Sequence, residues 1–310
     1  MPIFRKWLFM LLLPVVTLPI GAQVVSDTFD IDRISRATVY IMQTRSPVDN
    51  TILCIGTGTL VSRDGLILTN AHNTVTNNTC TGREIIISMT VRVNEPPIPF
   101  YRANVVQSDE GLDVSLVRIT RTLDGRLLES DTLALPFVEL ADSSAVQLDE
   151  SLTVFGYPDI YGSPVELRQG VANGFTTEPS APDRAWIKVE TRGDDTGIPG
   201  AMTGGGVYNR DGQLVGIPTT VPVTSIIEGA SCVRLQDTNG DELVNRTDVC
   251  VPVGGFINAV RPSNFARPLI RAAMLGLTIE KISSRSAIST ISGDPSFDRL
   301  FFATAVIIFV

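Results

Sequence analysis

Short hydrophobic runs separated by turn-forming residues make up most of the chain between Ser26 and about Ala273. The runs are rich in Val, Ile, Thr and aromatic residues, a composition that predicts β-strands. The predicted strands are residues 37–42, 58–61, 66–69, 84–93, 114–119, 152–155, 186–190, 205–208 and 214–217. Only residues 262–275 have a helical period, with Phe265, Leu269, Ile270 and Met274 on one face. The pattern therefore predicts an all-β body with one short helix near its C-terminal end.

Two Asp-Gly pairs mark hairpins within this pattern. Asp64-Gly65 and Asp211-Gly212 each lie between two predicted strands, where glycine supplies the positive φ that tight hairpins require. Strands at regular spacing without alternating long helices predict a barrel or sandwich rather than a parallel α/β sheet. A chain of 310 residues is long enough for two such units.

Composition narrows the class of protein. Lys and Arg number 25 against 33 Asp and Glu, which gives a formal charge of −8. Nucleic-acid binding calls for a basic surface, so no nucleic-acid partner is expected. With 44% hydrophobic residues, the chain also differs from disordered proteins.

The first 22 residues have the features of a secretory signal peptide. Arg5 and Lys6 precede an apolar stretch over residues 7–20, and small residues lead to a predicted cleavage after Ala22. The alternative is an uncleaved N-terminal anchor. Both interpretations predict export, to a secreted, periplasmic or cell-surface location.

The other end of the chain is apolar. Residues 276–299 have the composition of a linker, and residues 300–310 are hydrophobic to the last position. Eleven residues are too few to span a bilayer. They are either a buried terminal strand or part of a longer transmembrane segment. We favour the second interpretation, which would anchor the protein in a membrane.

Four cysteines fit an exported chain. Cys54 and Cys80 form one sequence-local pair, and Cys232 and Cys250 form another. An even number in an oxidising compartment favours disulfides, although four cysteines allow three pairings. Four free buried thiols are the alternative.

Three polar residues lie where a strand ends or a turn begins. His72, the one histidine of the chain, follows the strand 66–69 in a Thr-Asn-Ala-His segment. Asp113 directly precedes the apolar run 114–119, and Thr203 precedes three consecutive glycines. An imidazole, an acid that orients it and a hydroxyl beside glycine N–H groups are the parts of an acyl-transfer site.

Together these segments resemble the chymotrypsin-fold (trypsin-like) serine peptidases, most of all the bacterial HtrA-like (Deg) branch. The resemblance covers about residues 41–257. It implies two six-stranded antiparallel β-barrels within a peptidase domain at 23–275, with the active site between them. It also implies His72 as general base, Asp113 as its orienting acid and Thr203 as nucleophile. A polypeptide substrate and no catalytic cofactor follow from the same resemblance.

The resemblance also bears on neighbouring residues. It places the oxyanion-binding N–H groups at Ala201 and Thr203, and it interprets Cys54–Cys80 as a looser form of the family's disulfide at the histidine loop. Three residues depart from the family pattern, since Thr203 replaces Ser, Ala201 replaces Gly, and Met202 replaces Asp or Asn. The functional predictions are therefore an exported endopeptidase or a peptide-binding relative that does not cleave.

An acidic loop over residues 237–248 resembles calcium-binding loops. Its ligands would be Asp237, Asn239, Asp241, the Leu243 carbonyl, Asn245 and Asp248. Oxygen ligands at this spacing suit Ca²⁺. Position 6 is Glu242 where Gly is usual, so a solvated acidic turn is the alternative. The interpretation predicts a structural calcium ion in the second barrel.

Overall fold

The computed structural model of the chain describes residues 29–49, 51–75, 81–158, 163–178, 181–191, 198–199, 202–219, 232–233, 251–252, 259–277 and 279. A short helix, α1 (Ile31–Ala37), begins this part of the chain, and the Asp30 side chain caps it by accepting a hydrogen bond from the Arg33 N–H. The strand after it opens the first of two barrels.

Six strands close into an antiparallel barrel, barrel one, in the order β1-β2-β3-β6-β5-β4. They are β1 Thr38–Thr44, β2 Ile52–Leu60, β3 Leu66–Thr69, β4 Glu84–Met89, β5 Ile98–Asp109 and β6 Val114–Thr122. Val, Ile and Leu side chains of these strands fill the interior, which is the site of one hydrophobic core.

Six later strands close into a second antiparallel barrel, barrel two, in the order β10-β11-β14-β9-β8-β7. They are β7 Ser151–Gly156, β8 Glu166–Glu178, β9 Ala181–Thr191, β10 Gly206–Tyr208, β11 Leu214–Thr219 and β14 Ala259–Pro262. Two short strands, β12 (Cys232–Val233) and β13 (Val251–Pro252), pair separately. Counted along the chain, both barrels follow one cyclic strand order, so the predicted all-β class and two-barrel architecture are confirmed.

The predicted C-terminal helix is present but shorter than expected. It is α2 (Ala266–Met274), because Pro262 is the last residue of β14 and Ser263–Phe265 form a separate single turn. Leu269 and Ile270 are buried as predicted. Met274, the last residue of α2, is 59% exposed.

The two Asp-Gly hairpins also differ in detail. Gly65 and Gly212 have φ of 85° and 72°, so glycine supplies the left-handed conformation as predicted. Each connection is longer than a two-residue turn, because β3 begins at Leu66 after β2 ends at Leu60.

Within the described residues, no helix is long and apolar enough to cross a bilayer.

Aromatic residues of barrel two and of the segment after β7 pack against barrel one. Phe155, Tyr157 and Tyr208 belong to the core cluster of barrel one. The Tyr157 ring lies edge-on to Tyr40 at 5.3 Å between centroids, and Tyr208 lies edge-on to Phe155 at 5.5 Å. Burial raises the pKa of the Tyr157 and Tyr208 phenols, so both stay neutral. The two phenols thus pack at the seam between the barrels without adding charge to it.

A buried arginine stabilises the end of barrel two. Arg261 is fully buried, its guanidinium carbon lies 3.5 Å from the centroid of the Trp186 ring, and Nη1 donates to the Ala185 carbonyl at 3.1 Å. We expect Arg261→Ala to lower the free energy of unfolding by about 3 kcal/mol, because a large side chain leaves a cavity behind. Urea denaturation followed by circular dichroism measures the loss. The exposed Arg210→Ala is the control, and a loss equal to the control's would contradict this role.

Asp142 joins the segment between the barrels to the turn before α2. Its carboxylate accepts hydrogen bonds from the Ser144 hydroxyl at 2.6 Å and from Asn264 Nδ2 at 2.8 Å. These donors lower its pKa from 3.8 to about 2. A carboxyl with a lowered folded-state pKa stabilises the fold above its unfolded pKa, and the contribution is lost as the pH falls from about 4 to about 2. We expect Asp142→Asn to flatten the pH dependence of the melting temperature in that window; unchanged dependence would contradict the assignment.

Candidate active site

Strand pairing brings His72 and Asp113 together. β3 pairs antiparallel with β6, so that Thr69 lies opposite Ser115. His72 lies three residues beyond Thr69, in a single turn over Ala71–Asn73, and Asp113 lies two residues before Ser115. The two side chains therefore leave one end of barrel one side by side.

The carboxylate of Asp113 holds the imidazole from two directions. Its Oδ2 lies 2.9 Å from His72 Nδ1, and its Oδ1 accepts the backbone N–H of His72 at 3.1 Å. The carboxylate side chain is 3% exposed, whereas the imidazole is 20% exposed. An acid at Nδ1 selects the tautomer with its proton on Nδ1, which leaves Nε2 as an acceptor.

Barrel two contributes the hydroxyl. Thr203 Oγ1 lies 3.4 Å from His72 Nε2, and Thr203 is 5% exposed. This separation is longer than a strong hydrogen bond, as is common in sites without substrate. The three residues that the sequence singled out are thus brought together at the seam between the barrels.

Asp113 has an unusual backbone conformation. Its φ is 54°, in the left-handed region that Asp and Asn tolerate better than most residues. Its carbonyl accepts a hydrogen bond from Asn70 Nδ2 at 2.9 Å, and its Oδ2 accepts the Thr219 hydroxyl at 2.7 Å. Because such outliers persist only where surrounding contacts hold them, these two residues fix the acid against the imidazole.

Sequence reasoning did not single out Asn70 or Thr219 as site residues. Asn70 had a signal, because it lies in the Thr-Asn-Ala-His segment itself. Thr219 had none, since it lies 106 positions from Asp113 and meets it only when barrel two packs on barrel one.

The loop before β10 is tied to both barrels. Met202, which replaces the Asp or Asn of the family pattern, is fully buried in the core of barrel two. The Gly204 N–H donates to the Pro218 carbonyl at 3.0 Å, and Gly204 has a φ of 82°. A side chain at Gly204 would meet the Thr57 carbonyl at 2.3 Å, so glycine is required there.

Several predicted site residues lie outside the described residues. Ala201, one member of the predicted oxyanion pair, is among them, and so is the whole loop 237–248 with its predicted calcium ligands. Cys54 is disulfide-bonded, but its partner atom also falls outside, so Cys54–Cys80 and Cys232–Cys250 stay predictions. Across the part of the chain that the structure describes, there is no group of three or more His, Cys, Asp or Glu that would hold a metal ion.

Two six-stranded barrels with an imidazole, a carboxylate and a hydroxyl at their seam define the chymotrypsin-fold class. The chain belongs to the trypsin-like peptidase domain family, which matches residues 56–217, just over half of its length. Deg5, a solved structure, superimposes with a TM-score of 0.53 at 18% identity over 80% of this chain and 93% of its own, which supports the fold.

Curated relatives are HtrA and DegP-like serine proteases. The mitochondrial serine protease HTRA2 of Bos taurus is 28% identical over 64% of this chain and 39% of its own length. A probable periplasmic DegP-like serine endoprotease of Marinomonas sp. (strain MWYL1) is 27% identical over 54% of this chain and 30% of its own length. The chain therefore spans well under half of the length of these relatives. The predicted trypsin-like peptidase family is confirmed, and the relatives that the chain resembles are of the predicted HtrA and DegP-like branch.

Proposed function

We propose that this chain is an exported endopeptidase that hydrolyses polypeptides by acyl transfer. The observation that carries the proposal is that one imidazole lies between a buried carboxylate and a hydroxyl at the barrel seam. His72 would take the proton of the Thr203 hydroxyl as its oxygen attacks the scissile carbonyl carbon. The imidazolium, stabilised by Asp113, would then protonate the departing amine. Water would release the acyl group from Thr203 by the same proton transfers in reverse order.

Oxyanion stabilisation is assigned to the backbone of the Thr203 loop. The N–H groups of Gly204 and Gly205 donate to carbonyls of Pro218 and Met202 and are not part of the proposed pair. The proposed donors are the N–H groups of Ala201 and Thr203, which preorganised backbone would aim at the developing charge. The DegP-like relatives named as periplasmic support export of this chain.

A peptide-binding protein without cleavage is the second candidate. The observation that favours it is Thr203 itself, because its methyl group restricts χ1 and adds bulk beside the reacting carbonyl. The two candidates use the same site and differ only in turnover.

The test combines cleavage, covalent labelling and binding. The purified chain is incubated with an unfolded polypeptide, products are identified by mass spectrometry, and a fluorophosphonate probe is mapped to its residue. Fragments together with an adduct on Thr203 support the peptidase. An adduct on another hydroxyl would overturn the assignment of Thr203, and saturable binding without fragments would establish the second candidate.

Replacing Thr203 with the serine of the family pattern tests whether the threonine methyl group slows turnover. We expect Thr203→Ser to raise kcat about tenfold, because relief of roughly 1.4 kcal/mol of crowding at the methyl corresponds to that factor. Thr90→Ser, a buried threonine at the seam that contacts none of the three site residues, is the matched control. Equal or lower turnover in Thr203→Ser would contradict a crowded nucleophile.

Calcium binding at residues 237–248 is a separate proposal, resting on ligand spacing alone. We expect calorimetric titration of the purified chain to detect one Ca²⁺ site that Asp237→Asn weakens. Absence of binding at millimolar Ca²⁺ would overturn it.

A further inference from the structure

One buried amide joins the nucleophile loop to barrel one. Asn73 is 4% exposed, and its Nδ2 donates to the backbone carbonyl of Thr203 at 2.9 Å and to Thr69 Oγ1 at 3.2 Å. The Thr57 N–H donates to the same Thr203 carbonyl at 3.0 Å. Thr203 lies in the loop before β10 of barrel two, whereas the two partners of its carbonyl, Asn73 and Thr57, belong to barrel one. The carbonyl of the nucleophile residue is therefore held entirely by the opposite barrel among the contacts described.

Two glycines make room for this amide. A Cβ added at Gly56 would lie 2.4 Å from Asn73 Cγ, and one added at Gly204 would lie 2.6 Å from Asn73 Nδ2. Both distances are too short for real Cβ contacts, so any side chain at either position would displace the amide. The Thr203 carbonyl can only accept a hydrogen bond, so the amide faces it with its NH₂ group.

The same turn carries the general base. His72 and Asn73 are consecutive residues of the single turn Ala71–Asn73, and the Asn73 carbonyl accepts a hydrogen bond from Gln43 Nε2 at 2.7 Å. His72 therefore meets the hydroxyl of Thr203 while Asn73 meets its carbonyl. One rigid turn thereby sets the position of the imidazole and of the backbone that carries the hydroxyl.

We propose that Asn73 is a positioning residue that sets the separation between Thr203 Oγ1 and His72 Nε2, a role that for catalysis rests on the proposed function. Without the amide, the Thr203 carbonyl keeps only the Thr57 N–H, and the loop moves relative to the imidazole. Misplacement of a reacting group by about 1 Å lowers rates by about 10²-fold. The substrate itself does not contact the buried amide, so kcat falls while KM is conserved.

The test uses the single histidine as a spectroscopic reporter. In tag-free ¹⁵N-labelled protein, His72 gives the only imidazole resonances. We expect the Nε2 resonance of Asn73→Leu and Asn73→Ala to move to its position in Thr203→Val, which has no hydroxyl. The Nδ1 resonance, set by Asp113, should stay where it is. On a cleaved polypeptide, the same variants should lower kcat about 10²-fold with KM unchanged within twofold.

Thr90→Val controls for loss of any buried hydrogen bond at the seam, because Thr90 bonds to Tyr157 and contacts none of the site residues. It should leave the Nε2 resonance and kcat unchanged. A wild-type Nε2 resonance in folded Asn73 variants would overturn the positioning role. Absence of cleavage by the wild-type chain, with the Nε2 shift still present, would overturn only the proposed function.

Gly56→Ala supplies an independent route to the same displacement. It keeps the amide but pushes it from its place, so we expect the Nε2 shift of Asn73→Ala in this variant as well. In the double variant, the two changes should not add, because both act through one hydrogen bond. Full additivity in the rate would contradict the shared mechanism.

Discussion

If the proposed function is correct, replacing His72 with Ala lowers kcat for polypeptide cleavage on the order of 10⁶-fold, as loss of the base does in a serine peptidase of unrelated fold. Among the described residues, the imidazole is the group placed to accept the proton of the Thr203 hydroxyl, with Nε2 at 3.4 Å. The chain has no second histidine to replace it. Initial rates of peptide release under substrate saturation measure the effect.

A double variant serves as the control for the loss in His72→Ala. Thr203→Val removes the hydroxyl and keeps the shape of the side chain, and it should be as inactive as His72→Ala. The double variant should be no slower than either single variant, because the two residues act as one unit. Cleavage by His72→Ala within tenfold of the wild-type rate would show that the reaction occurs elsewhere on the molecule.

Replacing Asp113 with Asn is expected to lower kcat about 10⁴-fold, the loss seen when the acid of a Ser-His-Asp triad becomes an amide. Asn tolerates the left-handed φ of 54° at this position, so the backbone is preserved. An amide facing Nδ1 favours the wrong tautomer, with the proton on Nε2, where it cannot accept from Thr203. Steady-state kinetics above pH 7 measure the loss.

Thr219→Val serves as the comparison for the acid. It removes one of the hydrogen bonds to the Asp113 carboxylate and leaves the two from His72 in place. We expect a loss of about tenfold, the effect of one hydrogen bond of about 1.4 kcal/mol. Equal losses in Asp113→Asn and Thr219→Val would contradict the assignment of the tautomer to the carboxylate.

The sequence predicted most strands whose side chains are buried on both faces. β3 (Leu66–Thr69) was found at its observed bounds, and all four of its residues are buried. β5 (Ile98–Asp109) was missed, because it begins with exposed residues between prolines and lacks an apolar run. β8 (Glu166–Glu178) was missed for a similar reason, since polar residues and glycines interrupt it. The hydrophobic pattern thus finds strands that carry an unbroken apolar run and overlooks strands in which polar residues, glycines or prolines interrupt it.

The site residues that lie in local sequence motifs could be predicted from the sequence. His72, Asp113 and Thr203 each stand beside a strand or a glycine-rich turn, and the structure brings them together. Asn73 was not predicted, because its amide meets a carbonyl 130 positions away across the seam. Contacts of this kind depend on how one barrel docks on the other, and a single sequence carries no local signal for that geometry.

The solitary imidazole at the seam and Trp186 in barrel two give the molecule two built-in reporters. The chain has two tryptophans, of which Trp7 lies in the predicted leader, and Trp186 packs against Arg261. Fluorescence from Trp186 would therefore follow the unfolding of barrel two. The His72 signal would follow the separation of barrel two from barrel one. An intermediate in which both barrels are folded but separated would leave the Trp186 fluorescence unchanged and shift the His72 resonances. The two signals therefore distinguish loss of activity from loss of fold.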